Sequence, residues 1–409
     1  MSPVLDSAPS DPATRRVPTT EAQREIWTAA QLGDAASLGF NEAVALTLDG
    51  PLDRDALQRA LEVLIARHEA LRARCADDGR AFVLEPEVQP TVQWLDWSDR
   101  ETGAQDAALA AHERELVDTP FDLAAGPLTR ITIVRRAADR HVLTIAAHHI
   151  VCDGWSFGVL ARELGALYSA ACRHTPAGLP PADTLAAYAA SERDEAESEE
   201  AEAAELFWTT RFREEPTPLE LPLDHPRPRQ RRFESGRIDH QLAPALVRGL
   251  RELAQANGST LFATLLSGFA TLLHRIAGAD DVVIGIPTAG QARLGTPRLV
   301  SHCVNLLPVR VFPQPAQPFT DFQRVVQGAL LDAMEHQQLT FGALLKLLPI
   351  ARDPARLPLV SVVFNVDRGL GDSELGFDGL HATFRAVPRT FENFELFLNV
   401  VEYGEQLSL

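Results

Sequence analysis

Apolar residues recur along this chain in two spacings, one typical of strands and the other typical of helices. The run 142–147, "VLTIAA", is apolar except for Thr144 and predicts a buried strand, while apolar residues at helical spacing over 157–170 predict a helix. The segment between them, "HHIVCDGWS" at 148–156, is therefore expected to be a strand-to-helix corner. In this interpretation Asp153 and Gly154 form the turn, and Ser156 caps the helix.

The same alternation of strand and helix patterns runs through both halves of the chain. The predicted strands include "EAVALTLDG", "TRITIVRR", "HVLTIAA", "GRIDHQL", "DVVIGIP", "PLVSVVFNVD" and "FELFLNVVE". Helices are expected at "TTEAQREIWTAAQ", from Asp53, from Ala243, from Ser259 and over 319–336. We predict a mixed α/β protein with a flexible leader (1–17), a first lobe (18–174), an extended linker (175–235) and a second lobe (236–409).

Composition narrows the possible partners. With 409 residues and 45% apolar residues, the chain can bury the cores of two domains. A formal net charge of -18 argues against nucleic acid or an anionic membrane as partner, because both require basic patches. The first residues lack the apolar core of a signal peptide, and no segment is apolar enough to cross a membrane, so a cytoplasmic protein is expected. The chain stops at Leu409 directly after a strand-like segment, which leads us to expect a larger polypeptide.

The two adjacent histidines are the first candidates for chemistry. Successive side chains of a strand point to opposite faces, so only one of His148 and His149 can face a given cavity. Two other interpretations stay open for this stretch alone: a buried histidine with a purely structural role, and a metal site. A metal would need a third ligand, and the sequence contains no His or Cys cluster with ligand spacing, so we expect none. The four cysteines are scattered, as suits reduced thiols, and Cys152 is expected to pack.

A series of motifs in a particular order supports a more specific interpretation. The sequence contains "TEAQREIW" (20–27), "RHEALRA" (67–73), "PFDL" (120–123), "HHIVCDGWS" (148–156), "VNLLPVR" (304–310), "HQQLTF" (336–341) and "RDPARLPL" (352–359). In this order the chain resembles condensation domains of nonribosomal peptide synthetases. Heterocyclizing relatives have aspartates in place of the histidines, which disfavours that branch. The form "SHCVNLLPVR" resembles condensation domains of hybrid polyketide–peptide assembly lines.

The resemblance implies a fold and a reaction. It implies two lobes like chloramphenicol acetyltransferase that form a V with a tunnel between them, a bridging loop at "SHCVNLLP" and a crossing segment within 376–400. The expected partners are donor and acceptor carrier proteins and adjacent synthetase domains. Their 4'-phosphopantetheine arms would deliver an acyl thioester and an amine, which the enzyme joins as an amide with no cofactor of its own.

The resemblance also suggests roles for individual residues. His149 is expected on the reacting face, where it accepts the amine proton or only hydrogen-bonds the attacking nitrogen, and His148 is expected behind it. Asp153 is expected to be a turn-holding or salt-bridged residue rather than a catalytic orienter of the histidine. Many relatives have an arginine where this chain has Gln291, so the ion-pair partner of Asp153 stays open. The candidates for that partner are Arg72, Arg293 and Arg310. The residues expected along the tunnel are Gly154, beside which the substrate arm passes, Trp155, which packs under the helix, Ser156, and Asn305 at the tunnel floor.

Three other functions remain possible on the sequence alone. An epimerization domain shares the two histidines but removes an α-proton, and its additional glutamate-bearing motif is not evident. A catalytically silent relative would only bind carriers, against which the intact H-H-x-x-x-D-G argues. A stand-alone acyltransferase that uses free coenzyme A would need only one lobe.

Overall fold

The computed structural model describes residues 15–86 and 92–409, which form two large β-sheets with helices packed against them. The first part of the chain forms β1 (Arg15–Pro18), α1 (Glu21–Ala30), α2 (Asp34–Leu38), β2 (Asn41–Asp49), α3 (Arg54–Arg67), β3 (Ala73–Cys75), β4 (Ala81–Leu84), β5 (Val92–Asp96), α4 (Thr102–Asp118), β6 (Thr129–Ala137), β7 (Arg140–His148), α5 (Gly154–Arg173), α6 (Leu185–Ala196) and α7 (Glu199–Arg211). The second part forms α8 (Pro244–Ala256), α9 (Leu261–Ala277), β8 (Val282–Ala289), α10 (Gly290–Arg293), β9 (Val304–Val311), α11 (Phe319–Glu335), α12 (Phe341–Leu347), β10 (Val362–Arg368), α13 (Asp372–Leu375), β11 (His381–Ala386), β12 (Leu396–Tyr403) and β13 (Gln406–Ser408). The predicted α/β class is confirmed.

Each half of the chain is built around a five-stranded sheet, and the fifth strand of the first sheet comes from the second half. Its order is β11-β2-β7-β6-β5, and β11 pairs antiparallel with β2 from His381↔Asp49 to Ala386↔Val44. The expected crossing segment, 376–400, contains this strand. The second sheet has the order β13-β12-β10-β8-β9, in which β10 lies parallel to both β12 and β8. Because β11 crosses between the halves, main-chain hydrogen bonds tie the second half of the chain to the first sheet.

The structure differs from the predicted organisation in three details. Residues 1–14 of the expected leader lie outside the described residues, and Arg15–Pro18 form a strand that pairs with β4. The expected linker contains α6 and α7, which carry Tyr188 into the first core and Trp208 into the second. "GRIDHQL" is not a strand, although Gln241 makes a single bridge to Ser408. Among the described residues, backbone hydrogen bonds between this segment and the end of the chain are confined to His240 and Leu242, which pair with Leu409 and Leu407.

No single helix in the described part of the chain has the length and apolar composition needed to cross a membrane. Helices α8 and α9 reach that length only as a pair, and the pair is bent by 106°.

Helix α1 links the two halves at a second place, where it packs against α12. The side chains of Thr20 and Gln23 form a capping box that starts α1. One turn later the Glu25 carboxylate accepts a hydrogen bond of 2.8 Å from Thr340 Oγ1 of the second half. Burial, reinforced by the nearby Glu21 charge, raises the pKa of Glu25 to about 7 although the Thr340 hydrogen bond opposes the shift. A carboxyl group that titrates near neutrality therefore lies in the contact between the halves.

Because the pKa of Glu25 is higher in the folded state than its ordinary value of 4.5, the folded protein holds the proton more tightly. The stability contributed by this site is complete below pH 4.5 and is lost as pH rises through about 7. We expect Glu25→Gln to be more stable than wild type at pH 8, by roughly 2–3 kcal/mol, with the difference vanishing near pH 4.5. Urea unfolding at several pH values measures this, and parallel pH profiles for the two proteins would contradict it.

Candidate active site

The motif "HHIVCDGWS" forms the corner between β7 and α5, as the apolar pattern predicts. β7 ends at His148 and α5 begins at Gly154. The Asp153 side chain accepts a hydrogen bond from the Ser156 backbone N–H, so Asp153 is the N-cap. The prediction that Ser156 caps the helix is wrong, because Ser156 already lies in the first turn. The corner thus points its polar groups at the segment that precedes β9.

His148 is buried behind the site. Its side chain is fully inaccessible, and its Nδ1 accepts a hydrogen bond of 3.3 Å from the Ile150 backbone N–H. The proton of a neutral ring is then on Nε2, which lies 3.4 Å from Ser37 Oγ. Burial, with a smaller effect from His149, lowers the pKa of His148 to about 3. His148 is therefore a neutral imidazole packed in the interior, in agreement with a position behind His149.

His149 is the histidine that solvent reaches, since about 20% of its side chain is exposed. Its Nδ1 lies 2.8 Å from the Cys152 carbonyl oxygen. A carbonyl oxygen can only accept, so Nδ1 carries the proton and the neutral ring keeps its lone pair on Nε2. The Glu42 carboxylate lies 3.9 Å from the same Nδ1. This arrangement leaves Nε2 as a proton acceptor.

Asp153 has no exposed surface, and each carboxylate oxygen makes two hydrogen bonds. Oδ1 accepts from the Ser156 backbone N–H at 2.8 Å and from Ser156 Oγ at 2.7 Å. Oδ2 accepts from Gln291 Nε2 at 2.8 Å and from the Cys303 backbone N–H at 3.1 Å. Burial nevertheless raises the pKa of Asp153, because these hydrogen bonds offset only part of the loss of water. The carboxylate therefore joins the corner to the second half of the chain.

The predicted ion pair between Asp153 and an arginine is wrong. Gln291 takes the place of the arginine and donates through its neutral amide. Arg72 donates to the Glu85 carbonyl at 2.7 Å, and Arg293 pairs with Glu195. Arg310 pairs with Asp281 at 2.6 Å. Arg310 also lies six residues along β9 from Val304, which corresponds to about 20 Å of extended strand between it and the end of β9 nearest the corner.

The residues expected along the tunnel have different surroundings. Gly154 is exposed, its φ lies outside the left-handed region, and no described atom lies within 4 Å of the position that a Cβ would take. Trp155 does not pack under the helix, because it is 38% exposed and its Nε1 donates to the Pro297 carbonyl at 3.0 Å. Ser156 is buried, and its Oγ accepts from the Ser301 backbone N–H at 3.0 Å.

Asn305, at the start of β9, lines a cavity together with Tyr188 and Arg293, and its side chain also holds a neighbouring loop. Its Nδ2 donates to the Gln337 and Leu339 carbonyls at 3.0 and 2.9 Å, and its Oδ1 accepts from the Phe341 backbone N–H at 3.0 Å. Asn305 therefore clamps the "HQQLTF" segment onto β9.

Two groups beside His149 were not found from the sequence. His302, in the bridging loop, packs its ring against His149 with ring centroids 4.6 Å apart and an angle of 82° between the planes. Glu42, on β2, approaches His149 and pairs with Arg389 of the segment that follows β11. Hydrophobic pattern alone carries no signal for either, because both contacts join residues more than 100 positions apart.

The described residues contain no group of three or more His, Cys, Asp or Glu side chains that could hold a metal ion. Cys152 is fully buried, and burial raises the pKa of its thiol well above the usual value. A thiol held in this protonated form is a poor nucleophile, so the chemistry available at the corner is that of His149.

Comparison with known proteins identifies the family. The family model named Condensation domain matches residues 13–409. The chain belongs to the condensation domain family. Members of this family in nonribosomal peptide synthetases are amide-forming acyltransferases. This condensation domain is 35% identical over 371 residues to chondramide synthase cmdD of Chondromyces crocatus, covering 89% of this chain and 9% of that protein. It spans only 5–13% of the length of several curated relatives that it matches.

Solved structures agree with the family at the level of the fold. The first condensation domain of the CDA synthetase has a TM-score of 0.78 and 22% identity, with 96% of this chain and 92% of that chain covered. The condensation domain of the monacolin K polyketide synthase MokA has a TM-score of 0.81 and 22% identity, with 96% and 91% covered. The predicted fold with two chloramphenicol-acetyltransferase-like lobes is confirmed.

The four hydrogen bonds of Asp153 predict a structural role for this residue. Asp153→Ala would leave the Gln291 amide, the Cys303 N–H and the Ser156 N–H without their acceptor, so we expect a loss of roughly 2–5 kcal/mol in the free energy of unfolding. Chemical denaturation measures this, with the exposed Asp77→Ala as a matched control that should change little. Unchanged stability with activity abolished would instead assign Asp153 to the chemistry.

Proposed function

We propose that this condensation domain joins a carrier-bound acyl thioester, peptidyl or polyketide, to the amine of a carrier-bound aminoacyl thioester. The observation that carries the proposal is the tautomer of the neutral His149 ring. Its Nδ1–H is held by the Cys152 carbonyl, so the ring offers the Nε2 lone pair from a partly exposed position. A neutral imidazole with a free lone pair is suited to accept a proton from an attacking amine.

The proposed reaction forms one C–N bond and breaks one C–S bond. The amine attacks the thioester carbon, and the zwitterionic adduct gives a proton from nitrogen to His149 Nε2. Collapse of the adduct expels the thiolate of the donor's phosphopantetheine arm, which takes the proton from His149 Nε2 and leaves as the thiol, so the imidazole is neutral again. An α-amino group has a pKa of roughly 7.7–8.0, so a useful fraction is neutral near pH 7.5 without a strong base. Alignment of the two tethered substrates supplies much of the rate enhancement.

Asp153 acts indirectly in this proposal. Its oxygens are occupied by Ser156, Gln291 and the Cys303 N–H, and the imidazole is oriented by the Cys152 carbonyl instead. Asp153 therefore keeps the corner in place against the bridging loop, and His149 alone touches the reacting atoms.

The proposed partners follow from the reaction. Each substrate arrives on the 4'-phosphopantetheine arm of a carrier protein, one as donor and the other as acceptor, and neighbouring synthetase domains would supply those carriers. Mass spectrometry of carrier-bound products, after this protein is mixed with defined loaded carriers, tests the proposal. An acceptor that gains the mass of the donor acyl group supports condensation. Exchange of the α-proton without transfer would indicate epimerization, and an unchanged acceptor with tight carrier binding would indicate a silent domain.

Replacement of His149 tests the proton acceptor. We expect His149→Ala to lower the rate of amide formation by about 10²- to 10⁴-fold, because it removes the imidazole that receives the amine proton. Thermal unfolding should shift little, since the ring is partly exposed. Single-turnover assays measure the rate, and the exposed His225→Ala is the matched control.

His148 should respond differently from His149. His148→Ala removes a fully buried ring, so its main effect is expected on stability. A folded His149→Ala protein with full activity, beside an inactive but stable His148→Ala protein, would reverse the assignment.

Gly154 tests the route of the acceptor arm along the corner. Because no described atom lies near its Cβ position and its φ is not left-handed, neither alanine nor leucine should strain the backbone. We expect Gly154→Ala to retain activity and Gly154→Leu to lose most of it, through obstruction of the route rather than unfolding. The measurement is amide formation with a carrier-bound acceptor, beside thermal unfolding.

Gly249→Leu is the matched control for Gly154→Leu, since Gly249 on α8 is also exposed with no described atom near its Cβ position. A fully active Gly154→Leu protein would place the acceptor arm elsewhere.

A further inference from the structure

His302 occupies the centre of the loop that ties the two halves together. The three residues 301–303 lie just before β9, and the backbone on either side of His302 is anchored to the corner. The Ser301 N–H donates to Ser156 Oγ at 3.0 Å, and the Cys303 N–H donates to Asp153 Oδ2 at 3.1 Å. The His302 carbonyl itself accepts from Gln23 Nε2 of α1 at 3.3 Å. These three hydrogen bonds fix the backbone from which the His302 side chain projects.

The ring of His302 meets the ring of His149 at nearly a right angle. The centroids are 4.6 Å apart and the planes are inclined by 82°, an edge-to-face contact. The His149 imidazole therefore has two restraints: its Nδ1–H on the Cys152 carbonyl and the His302 ring beside it. Rotation of the His149 ring would break both.

His302 is suited to support His149 rather than to replace it. It is only 6% exposed, so substrate cannot reach it, and burial lowers its pKa well below the usual value. A neutral ring so close to His149 adds no competing charge. Its Nδ1 has no hydrogen-bond partner among the described residues, although that nitrogen is buried. An aliphatic side chain would fill the space without burying an unpaired nitrogen, so His302 is a poor choice as filler alone.

We propose that His302 is a positioning residue, whose ring holds the His149 imidazole with Nδ1–H on the Cys152 carbonyl and Nε2 directed at the reacting amine. The inference rests on the proposed function of His149 as proton acceptor. It also means that the bridging loop of the second half completes the catalytic geometry of the first. Separation of the halves at this loop would release the ring even though every residue of the motif "HHIVCDGWS" remained in place.

The test compares His302→Phe, which keeps an aromatic ring, with His302→Leu, which does not. We expect His302→Leu to lower kcat for amide formation by about 10- to 100-fold, because small displacements of a reacting group have effects of this size. The KM for the acceptor carrier should change less than the rate. His302→Phe should stay within about threefold of the wild-type rate. A folded His302→Leu protein with wild-type kcat, or a Phe variant as impaired as Leu, would overturn the proposal.

A spectroscopic readout separates positioning from general damage to the fold. Long-range ¹H–¹⁵N correlation spectra of protein labelled at histidine distinguish protonated from unprotonated ring nitrogens, and the His149→Ala variant assigns the His149 signals. We expect a protonated Nδ1 and an unprotonated Nε2 for His149 in the wild type and in His302→Phe, and averaging of the two nitrogens in His302→Leu. Unchanged His149 signals in a folded His302→Leu protein would contradict positioning.

Two further measurements cover the cases in which His302→Leu does not fold or the wild type is inactive. If His302→Leu does not fold, His302→Gln, a polar side chain of similar length without a ring, takes its place, and equal activity of the Gln and Phe variants would overturn the proposal. If the wild type forms no amide with any loaded carrier pair, the proposed function fails. The nitrogen signals of His149 still report whether His302 holds the ring, because they do not depend on turnover.

Discussion

Asp153 places a fully buried carboxylate between the first turn of α5 and the loop that leads into β9. Its two oxygens collect four hydrogen bonds, two from Ser156 and two from the second half of the chain. A buried carboxylate is tolerated only when it is satisfied in this way. The corner and the bridging loop therefore have one relative arrangement in which this group is satisfied, and the position of His149 against His302 depends on it.

The three histidines near this link, His148, His149 and His302, differ in burial and in hydrogen bonding. His148 and His302 are buried and kept neutral, one behind His149 and the other beside it. Only His149 is reached by solvent, and the Cys152 carbonyl selects the tautomer that leaves Nε2 free. Under the proposed function such a site requires no strong base, because amide formation from a thioester runs downhill and the two proposed substrates are tethered to carriers. The protein's main contribution is the geometry in which they meet.

The predictions that succeeded rest on local physical rules. The apolar run before His148 and the helical spacing after Ser156 were sufficient to place the corner, and strand alternation predicted different surroundings for the two histidines. The predictions that failed concerned pairing. These were the arginine partner of Asp153, the strand at "GRIDHQL" and the packing of Trp155, all of which depend on segments distant in the chain. In the structure Gln291 donates to Asp153, "GRIDHQL" makes one bridge to β13, and the Trp155 Nε1 donates to Pro297. Motif order indicated the family, but it could not say which donor replaces a missing arginine.

By itself, then, the sequence determined the α/β class, the family and the corner, because these follow from periodicity and from motifs of consecutive residues. The tertiary structure alone decided that β11 joins the first sheet, that Glu25 meets Thr340 between the halves and that His302 touches His149. Each of these contacts joins residues more than 100 positions apart in the chain, and two of them join residues more than 300 apart. Side-chain spacing along a strand or helix carries no information about such contacts. They form only when both halves have folded and the buried polar groups between them have found partners.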